Sequence, residues 1–265
     1  MTLNCPANTA EHPRLSVLGP LSATVHGRPV RLGGRRPRAL LAALILAEEA
    51  LVPEEQLIDA VWGDNPPEKP RQAVHTYVSD LRRVLEPGRR AGERPAVLLR
   101  GPSGYALAIG AAAVDARRFA ELVFAADSAG SPGRALELAD RALGLWNGPA
   151  YADLMDAPFL AAEIGRLEEL RSIASERRVS ARLALGDHRV SLVESRALTT
   201  EHPLRESGWA LRALALYRCG RPAEALQILG AARRLLRDQL GTDPGPELAC
   251  LTQRVLAHDP ALLLS

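Results

Sequence analysis

The chain has 265 residues, of which 47% are hydrophobic and 24% are charged, a composition typical of globular proteins that bury a core. No apolar run reaches the roughly 18 residues that a membrane-spanning helix needs, and residues 1–13 lack the basic and apolar regions of a secretion signal. We therefore expect a cytoplasmic protein with no membrane partner. Residues 1–13 are polar and contain proline, so we expect this segment to be disordered.

The formal net charge is only +2, but the charge is unevenly distributed. Between Lys69 and Arg100 there are 8 basic and 3 acidic side chains, which gives this segment a charge of +5. Residues 111–265 carry −1. A local excess of basic residues is typical of an anion-binding face, although a solvated charged surface explains it equally well.

Three short segments of alternating hydrophobicity open the chain, and Gly-Pro or Gly-Arg-Pro turn signals separate them. These segments are 15–19, 22–26 and 30–32. We expect them to form a small antiparallel sheet. Three helical patterns follow: one begins near Pro37 and continues to Glu49, the next opens at Pro53, and the third covers Pro70–Leu85.

A β-hairpin is predicted after the third helix, because two strand-like segments flank the turn sequence Gly-Pro-Ser-Gly. The two strands are 96–100 and 105–109. The order of sheet, three helices and hairpin is typical of a winged helix-turn-helix, in which the third helix is the recognition helix and the hairpin is the wing. We therefore predict an α+β N-terminal winged helix-turn-helix domain over residues 14–112.

From about Asp115 onward, one helical pattern follows another. The predicted helices are 115–128, 132–145, 158–185, 187–200, 204–219, 222–240 and 245–257. The segment Trp209–Leu229 has the residue spacing of a tetratricopeptide unit. Because helical hairpins bury their apolar faces only by stacking on neighbours, we predict an all-α, tetratricopeptide-like domain over residues 113–265.

The third helix has one apolar face and one polar face. Its outward residues are those whose amide, imidazole, hydroxyl or guanidinium groups read base edges or bind phosphate. They are Gln72, His75, Thr76, Ser79, Arg82 and Arg83. An ordinary amphipathic helix gives the same pattern, so the DNA-binding interpretation depends on the adjacent wing and the basic charge. The acidic Asp80 should point away from DNA or pair with a neighbouring arginine.

Further DNA contacts are expected from the wing and from basic residues near the helices. A basic side chain at a wing tip enters the minor groove or contacts phosphate. The candidates are Arg100, Ser103 and Tyr105 on the wing, and Arg38, Lys69 and Arg71 elsewhere. For the basic run of Arg35, Arg36 and Arg38, phosphate contact and plain solvation remain equally open.

No constellation of residues indicates an enzyme. The chain lacks the P-loop, dinucleotide-binding, zinc-protease and nucleophile-elbow motifs, so we predict no catalytic residues and no cofactor. The histidines are scattered and the three cysteines are widely spaced, which predicts neither a metal site nor a disulfide framework. We expect Cys219 and Cys250 to be buried as small apolar residues.

Several segments, in the same order along the chain, resemble one family of regulators. They are LIDAVWGDNPP at 57–67, YVSDLRRVL at 77–85, GYAL at 104–107, HPLRE at 202–206, ALYRCGR at 215–221 and LGTDPGPEL at 240–248. Together they resemble the Streptomyces antibiotic regulatory proteins over residues 14–264. The resemblance implies an OmpR-like winged helix followed by a bacterial transcriptional activation domain, whose start matches Asp115 and Phe119.

The resemblance also implies a function. Such a protein binds direct repeats beside the promoter −35 element, recruits the RNA polymerase holoenzyme and activates a biosynthetic cluster for a secondary metabolite such as an antibiotic. We expect two copies to bind side by side on double-stranded DNA. The alternative is an adaptor or ligand-sensing regulator that acts mainly through its helical repeats. Because larger relatives carry a further module, the chain is either a small member or the N-terminal part of a large one.

Overall fold

The computed structural model describes residues 13–90 and 92–263. These residues form two compact units. The first contains the described residues up to Ala120 together with Leu145–Glu168, and the second contains Glu121–Gly144 and the described residues from Glu169 onward. Most of the segment predicted to be disordered, residues 1–12, lies outside the described residues, and Pro13 is buried.

The first unit opens with the predicted antiparallel sheet. Its strands are β1 (Arg14–Ser16), β2 (Ser22–Val25) and β3 (Arg28–Val30), in the order β1-β2-β3. The tight turn between β2 and β3 places His26 and Gly27 at φ values of 51° and 74°, the left-handed pair that a two-residue hairpin needs. The three predicted strands are therefore confirmed, although β1 and β2 are shorter than the sequence indicated and β3 begins two residues earlier.

Three helices and a second sheet complete the winged helix-turn-helix. The helices are α1 (Arg35–Leu46), α2 (Glu54–Trp62) and α3 (Pro70–Leu85). The strands are β4 (Val52–Pro53), β5 (Leu98–Arg100) and β6 (Gly104–Leu107), paired antiparallel in the order β4-β6-β5. Strand β4 is not predicted from the sequence, because a two-residue strand is too short to show alternation. Pro53 ends this strand and caps α2 rather than opening the helix.

The segment Leu145–Glu168 returns to the N-terminal sheet. The backbone N–H groups of Asn147 and Tyr151 donate hydrogen bonds to the carbonyl oxygens of Leu18 (2.6 Å) and Val17 (2.8 Å). The carboxylate of Asp153 accepts a hydrogen bond from the backbone N–H of Leu21 (2.8 Å). The chain that leaves β1 is therefore held by residues about 130 positions later, an arrangement that the helical pattern alone did not predict.

The second unit is built from helices, as predicted for this part of the chain. These helices are α4 (Asp115–Asp127, which begins in the first unit), α5 (Pro132–Leu143), α6 (Ala161–Ala184, which also begins in the first unit), α7 (His188–Glu201), α8 (Glu206–Arg218), α9 (Pro222–Leu240) and α10 (Pro246–Leu256). The predicted tetratricopeptide-like segment corresponds to α8 and the start of α9, which pack against each other through a core that includes Ala213, Ala225 and Leu229.

The two cysteines in the second unit are not both buried. Cys250 is exposed and Cys219 is partly exposed, so the expectation that both are buried is wrong. The reason is helical geometry, since Cys250 follows the buried Leu248 by two residues and therefore points to nearly the opposite side of α10.

None of the helices in the described residues is long and apolar enough to span a membrane.

Candidate nucleic-acid interface

Helix α3 separates its residues as the sequence predicted. Helix α3 contacts α1 and α2. Its buried stripe consists of Val74, Val78, Leu81 and Leu85, which are 0–2% exposed. Pro70 occupies the first turn, where its missing N–H costs no helical hydrogen bond. The buried stripe fixes the rotation of the helix, so the opposite face is turned to solvent.

The solvent face of α3 contains the six predicted recognition residues. Gln72, His75, Thr76, Ser79 and Arg83 are exposed, and Arg82 is half-buried. The hydroxyl of Thr76 donates a hydrogen bond to the carbonyl oxygen of Gln72 at 3.0 Å, which leaves its lone pairs available as acceptors. Amide, imidazole and hydroxyl groups thus stand side by side on one accessible face.

Ion pairs hold two of the cations on this helix. Asp80 lies 3.3 Å from a guanidinium nitrogen of Arg83, which confirms the prediction that this carboxylate pairs with a neighbouring arginine. Arg71 pairs with Glu55 at 2.5 Å. A hydrogen bond from the backbone of Glu55 and then this arginine hold the pKa of Glu55 below its usual range. Both ion pairs are exposed, so another anion can still reach the guanidinium groups of Arg71 and Arg83.

Glu54 connects α3 to the wing, a role that no sequence pattern indicates. Its carboxylate lies 2.9 Å from Nε2 of His75 and 4.0 Å from a guanidinium nitrogen of Arg100. The side chain of Glu54 is only 14% exposed, whereas those of His75 and Arg100 are 43% and 61% exposed. A shielded carboxylate therefore aligns two exposed donors that sequence analysis assigned to different elements.

The wing is a tight hairpin anchored at its base. Arg100 of β5 pairs with Tyr105 of β6, and the N–H of Gly101 donates to the carbonyl oxygen of Gly104 at 3.0 Å. The N–H of Glu54 donates to the carbonyl oxygen of Ser103 at 3.0 Å. Arg100 and Ser103 are exposed at this turn, in positions from which they can contact a ligand.

Tyr105 lies beneath the wing instead of on its surface. It is 2% exposed, and the guanidinium carbons of Arg82 and Arg100 lie 5.7 and 5.9 Å from the centre of its ring. Burial raises the pKa of the phenol, and the positive charge of Arg100 opposes that rise. The ring thus supports the two arginines through cation–π contacts.

Arg82 also binds the wing through hydrogen bonds. Its Nε and one terminal nitrogen donate to the carbonyl oxygen of Leu98 at 2.9 and 2.7 Å. Burial, more than the charges around it, lowers the pKa of this guanidinium. Arg82 therefore joins the recognition helix to β5, a role that a helical wheel cannot show.

Some of the basic residues expected to contact the DNA backbone are exposed and form no ion pair within the described residues, and others bind carboxylates of the same chain. Lys69 is exposed next to the first turn of α3. Arg38 lies 2.6 Å from the carboxylate of Asp153, with both side chains less than one third exposed. Arg35 pairs with Asp156 at 2.6 Å. Arg38 is thus bound to the segment that returns to the N-terminal sheet.

No group of three or more potential metal ligands is found among residues 13–90 and 92–263. The site offers exposed hydrogen-bond donors and acceptors on α3, an exposed guanidinium on the wing, and a rigid connection between the two. This arrangement is suited to contacting the edges and backbone of an extended anionic polymer.

Comparisons with known proteins agree with this geometry. Residues 27–107 match the family model described as "Transcriptional regulatory protein, C terminal", and residues 114–256 match "Bacterial transcriptional activator domain". Regulatory protein AfsR of Streptomyces coelicolor is 43% identical over 253 residues, which are 94% of this chain but 25% of AfsR. Regulatory protein DnrI of Streptomyces peucetius is 33% identical over 256 residues, or 94% of both chains.

A solved structure supports the fold. The structure titled "Mycobacterium tuberculosis EmbR in complex with low affinity phosphopeptide" superimposes with a TM-score of 0.86 at 35% identity. The match covers 94% of this chain and 66% of that chain. This chain therefore spans about a quarter of AfsR and about two thirds of EmbR, but nearly the whole of DnrI.

Proposed function

The chain belongs to the family of Streptomyces antibiotic regulatory proteins, whose members are transcriptional regulators and not enzymes, and we propose that it activates transcription by binding promoter DNA. The observation that carries this proposal is the exposed polar face of α3 beside the exposed Arg100 of the wing. Recognition helices read base edges in the major groove, and a basic wing contacts phosphate or the minor groove.

The burial and contacts of each residue suggest its role. Bases are contacted by Gln72, His75, Thr76 and Ser79, which are exposed on one face. The DNA backbone is contacted by Lys69, Arg71, Arg83, Arg100 and Ser103. Arg82, Tyr105 and Arg38 are engaged inside the first unit, so we assign them to holding the wing and the helices in place rather than to DNA.

We propose that residues 14–112 form the DNA-binding domain and that residues 113–265 form the activation domain. Two copies bind direct repeats near the −35 element in the same orientation, one helical turn apart on one face of the DNA. Copies arranged head to tail contact each other through unlike surfaces. Together they recruit the RNA polymerase holoenzyme to a secondary-metabolite cluster.

DNA binding is tested with the region upstream of the neighbouring genes as the probe. Fluorescence anisotropy should show binding that weakens steeply between about 50 and 200 mM salt, because neutralising phosphates releases counterions. A scrambled probe of the same length serves as the control. Equal affinity for both probes would mean that the protein does not read sequence, and the adaptor interpretation would then take its place.

The arrangement of copies is tested by changing the spacing of the repeats. Inserting about five base pairs turns the second copy to the far side of the DNA and should abolish cooperative binding, whereas about ten should partly restore it. In a transcription assay with purified polymerase, the five-base-pair insertion should also abolish activation. Activation that is independent of spacing would contradict the side-by-side arrangement while leaving DNA binding intact.

A further inference from the structure

A groove in the second unit lies where three consecutive helices meet. Helix α8 packs against both α7 and α9, and residues from all three helices line a groove of about 320 Å³. This volume is at the lower end of the range for ligand pockets and is sufficient for a few side chains of an extended peptide. Leu192, Val193, Leu216 and Ile228 give the groove apolar surface, and Arg196 and Arg212 give it charge.

The charge of the groove is not neutralised by the protein. No carboxylate in the described parts of the chain lies within 4 Å of Arg196 or Arg212. Arg212 donates one hydrogen bond, to the hydroxyl of Thr199 at 3.0 Å, which engages only one of the five N–H donors of a guanidinium. Partial burial and then the charge of Arg196 lower the pKa of Arg212. Two like charges therefore stand close together with donors to spare.

The other charged residues of the groove behave differently. Arg221 and Glu224 form a bidentate pair with both distances at 2.6 Å, so their charges cancel. The excess positive charge is thus confined to Arg196 and Arg212.

An exposed apolar side chain adjoins these arginines. Val193 is 74% exposed and lies on α7, three residues before Arg196. Leu192, Leu216 and Ile228 continue the apolar surface into the groove, where each is buried or half-buried. Apolar surface beside unpaired guanidiniums complements a peptide that has carboxylates next to an apolar side chain. A phosphate backbone would leave the apolar part of the groove without a partner.

We propose that the groove lined by α7, α8 and α9 binds a segment of a partner protein that carries two carboxylates beside an apolar side chain. Arg196 and Arg212 bind the carboxylates through charge-assisted hydrogen bonds. Leu192, Val193 and Ile228 pack against the apolar side chain. This interaction is separate from DNA binding, which is assigned to the first unit.

The proposal is tested with the full chain and a set of fluorescent twelve-residue peptides, each with two Glu and two Leu at varied spacing. At least one should bind more tightly than its counterpart in which Lys replaces Glu. Arg196→Gln and Arg212→Gln should each weaken that binding about ten-fold, because each removes a charged donor. Val193→Ser should weaken it without changing its salt dependence. A peptide with benzoylphenylalanine in place of one Leu should cross-link to α7 or α9.

Matched variants separate the groove from general electrostatic attraction. Arg234→Gln makes the same change of charge at an exposed position of α9 outside the groove, and it should leave peptide binding unchanged. Unfolding temperatures of all variants confirm that they remain folded. The proposal is overturned if no Glu peptide binds better than its Lys counterpart, or if Arg234→Gln acts like Arg196→Gln. It is also overturned if Arg100→Gln alone removes binding, since the peptide would then be imitating DNA.

Discussion

The side chain of Arg82 donates two hydrogen bonds to the backbone carbonyl oxygen of Leu98, at 2.9 and 2.7 Å. This contact joins the recognition helix to the first strand of the wing. An arginine that faces outward on a helical wheel therefore serves a different purpose from the exposed Arg83 next to it. Together with the Glu54 carboxylate, which lies between His75 and Arg100, this guanidinium holds the wing against α3.

Replacing Arg82 with Ala should weaken DNA binding by a similar factor on all sequences, because a loosened wing affects backbone contacts rather than one base pair. The carbonyl of Leu98 loses its partners, so the free energy of unfolding should also fall by about 1–3 kcal/mol. Anisotropy on operators mutated at single positions, together with urea unfolding, measures both effects. If the loss of affinity is confined to one base pair and stability is unchanged, Arg82 reads a base, which is one of the two contacts that the sequence predicted for it.

Thr76 provides the contrasting case, since its hydroxyl is exposed on the face assigned to the bases. Thr76→Ala should weaken binding to the operator by roughly 1–3 kcal/mol and leave binding to a scrambled probe unchanged. The circular dichroism spectrum should stay native, because the substitution removes no buried group. Equal affinity of the variant and the parent chain for the operator would exclude this position of α3 from the major groove.

The ends of α3 are predictable from the sequence because they carry strong signals, with Pro70 at the first turn and Pro87-Gly88 just after the last. Its buried stripe was equally predictable, since a 3.6-residue period specifies which side chains share a face. The helices of the second unit were also predicted, within a few residues at each end. These features depend on local patterns, which a single sequence contains.

What the sequence could not provide were contacts between distant residues. Glu54 is an ordinary acidic residue in the first turn of α2, yet its carboxylate contacts His75 and lies near Arg100. Asp153 gave no signal at all, because it lies between helical patterns and its partners, Leu21 and Arg38, are more than 100 positions away. Such pairings are determined by how the elements pack.

Arg100 should act mainly through its charge. Arg100→Ala is expected to lower affinity similarly for all sequences and to reduce the slope of log affinity against log salt by about one unit, as for the loss of one phosphate contact. Titrations on the operator and a scrambled probe between about 50 and 200 mM salt measure the slope. A slope that does not change, together with a loss at one base position, would show that Arg100 reads a base in the minor groove.

Gly104 is required by the close approach of two strands. Strand β4 pairs with β6 at the base of the wing, where Pro53 lies opposite Gly104. A Cβ atom at position 104 would collide with the carbonyl oxygen of Val52. Gly104→Ala should therefore lower the free energy of unfolding by about 1–3 kcal/mol and weaken DNA binding through the displaced wing. Gly88→Ala is the matched control, because a Cβ atom there meets no atom within 4 Å. Comparable stability of the two variants would contradict this account.

For Arg38 the sequence left phosphate contact and plain solvation open, and the structure adds a third role, an ion pair with Asp153. Its guanidinium lies 2.6 Å from Asp153, whose other oxygen accepts from the N–H of Leu21, so the ion pair ties α1 to the segment that holds the N-terminal sheet. We expect Arg38→Gln to lower the free energy of unfolding by about 1 kcal/mol, since the pair is partly buried, and to leave the affinity of the folded protein for DNA unchanged.

Arg36→Gln, at an exposed position of the same helical turn, should change neither stability nor the ion pair. A double-mutant cycle with Asp153→Asn should show that the two substitutions are not additive, because either one alone breaks the contact. If Arg38→Gln instead keeps full stability and lowers both affinity and the salt slope, the guanidinium leaves Asp153 to bind phosphate, and the residue belongs to the interface.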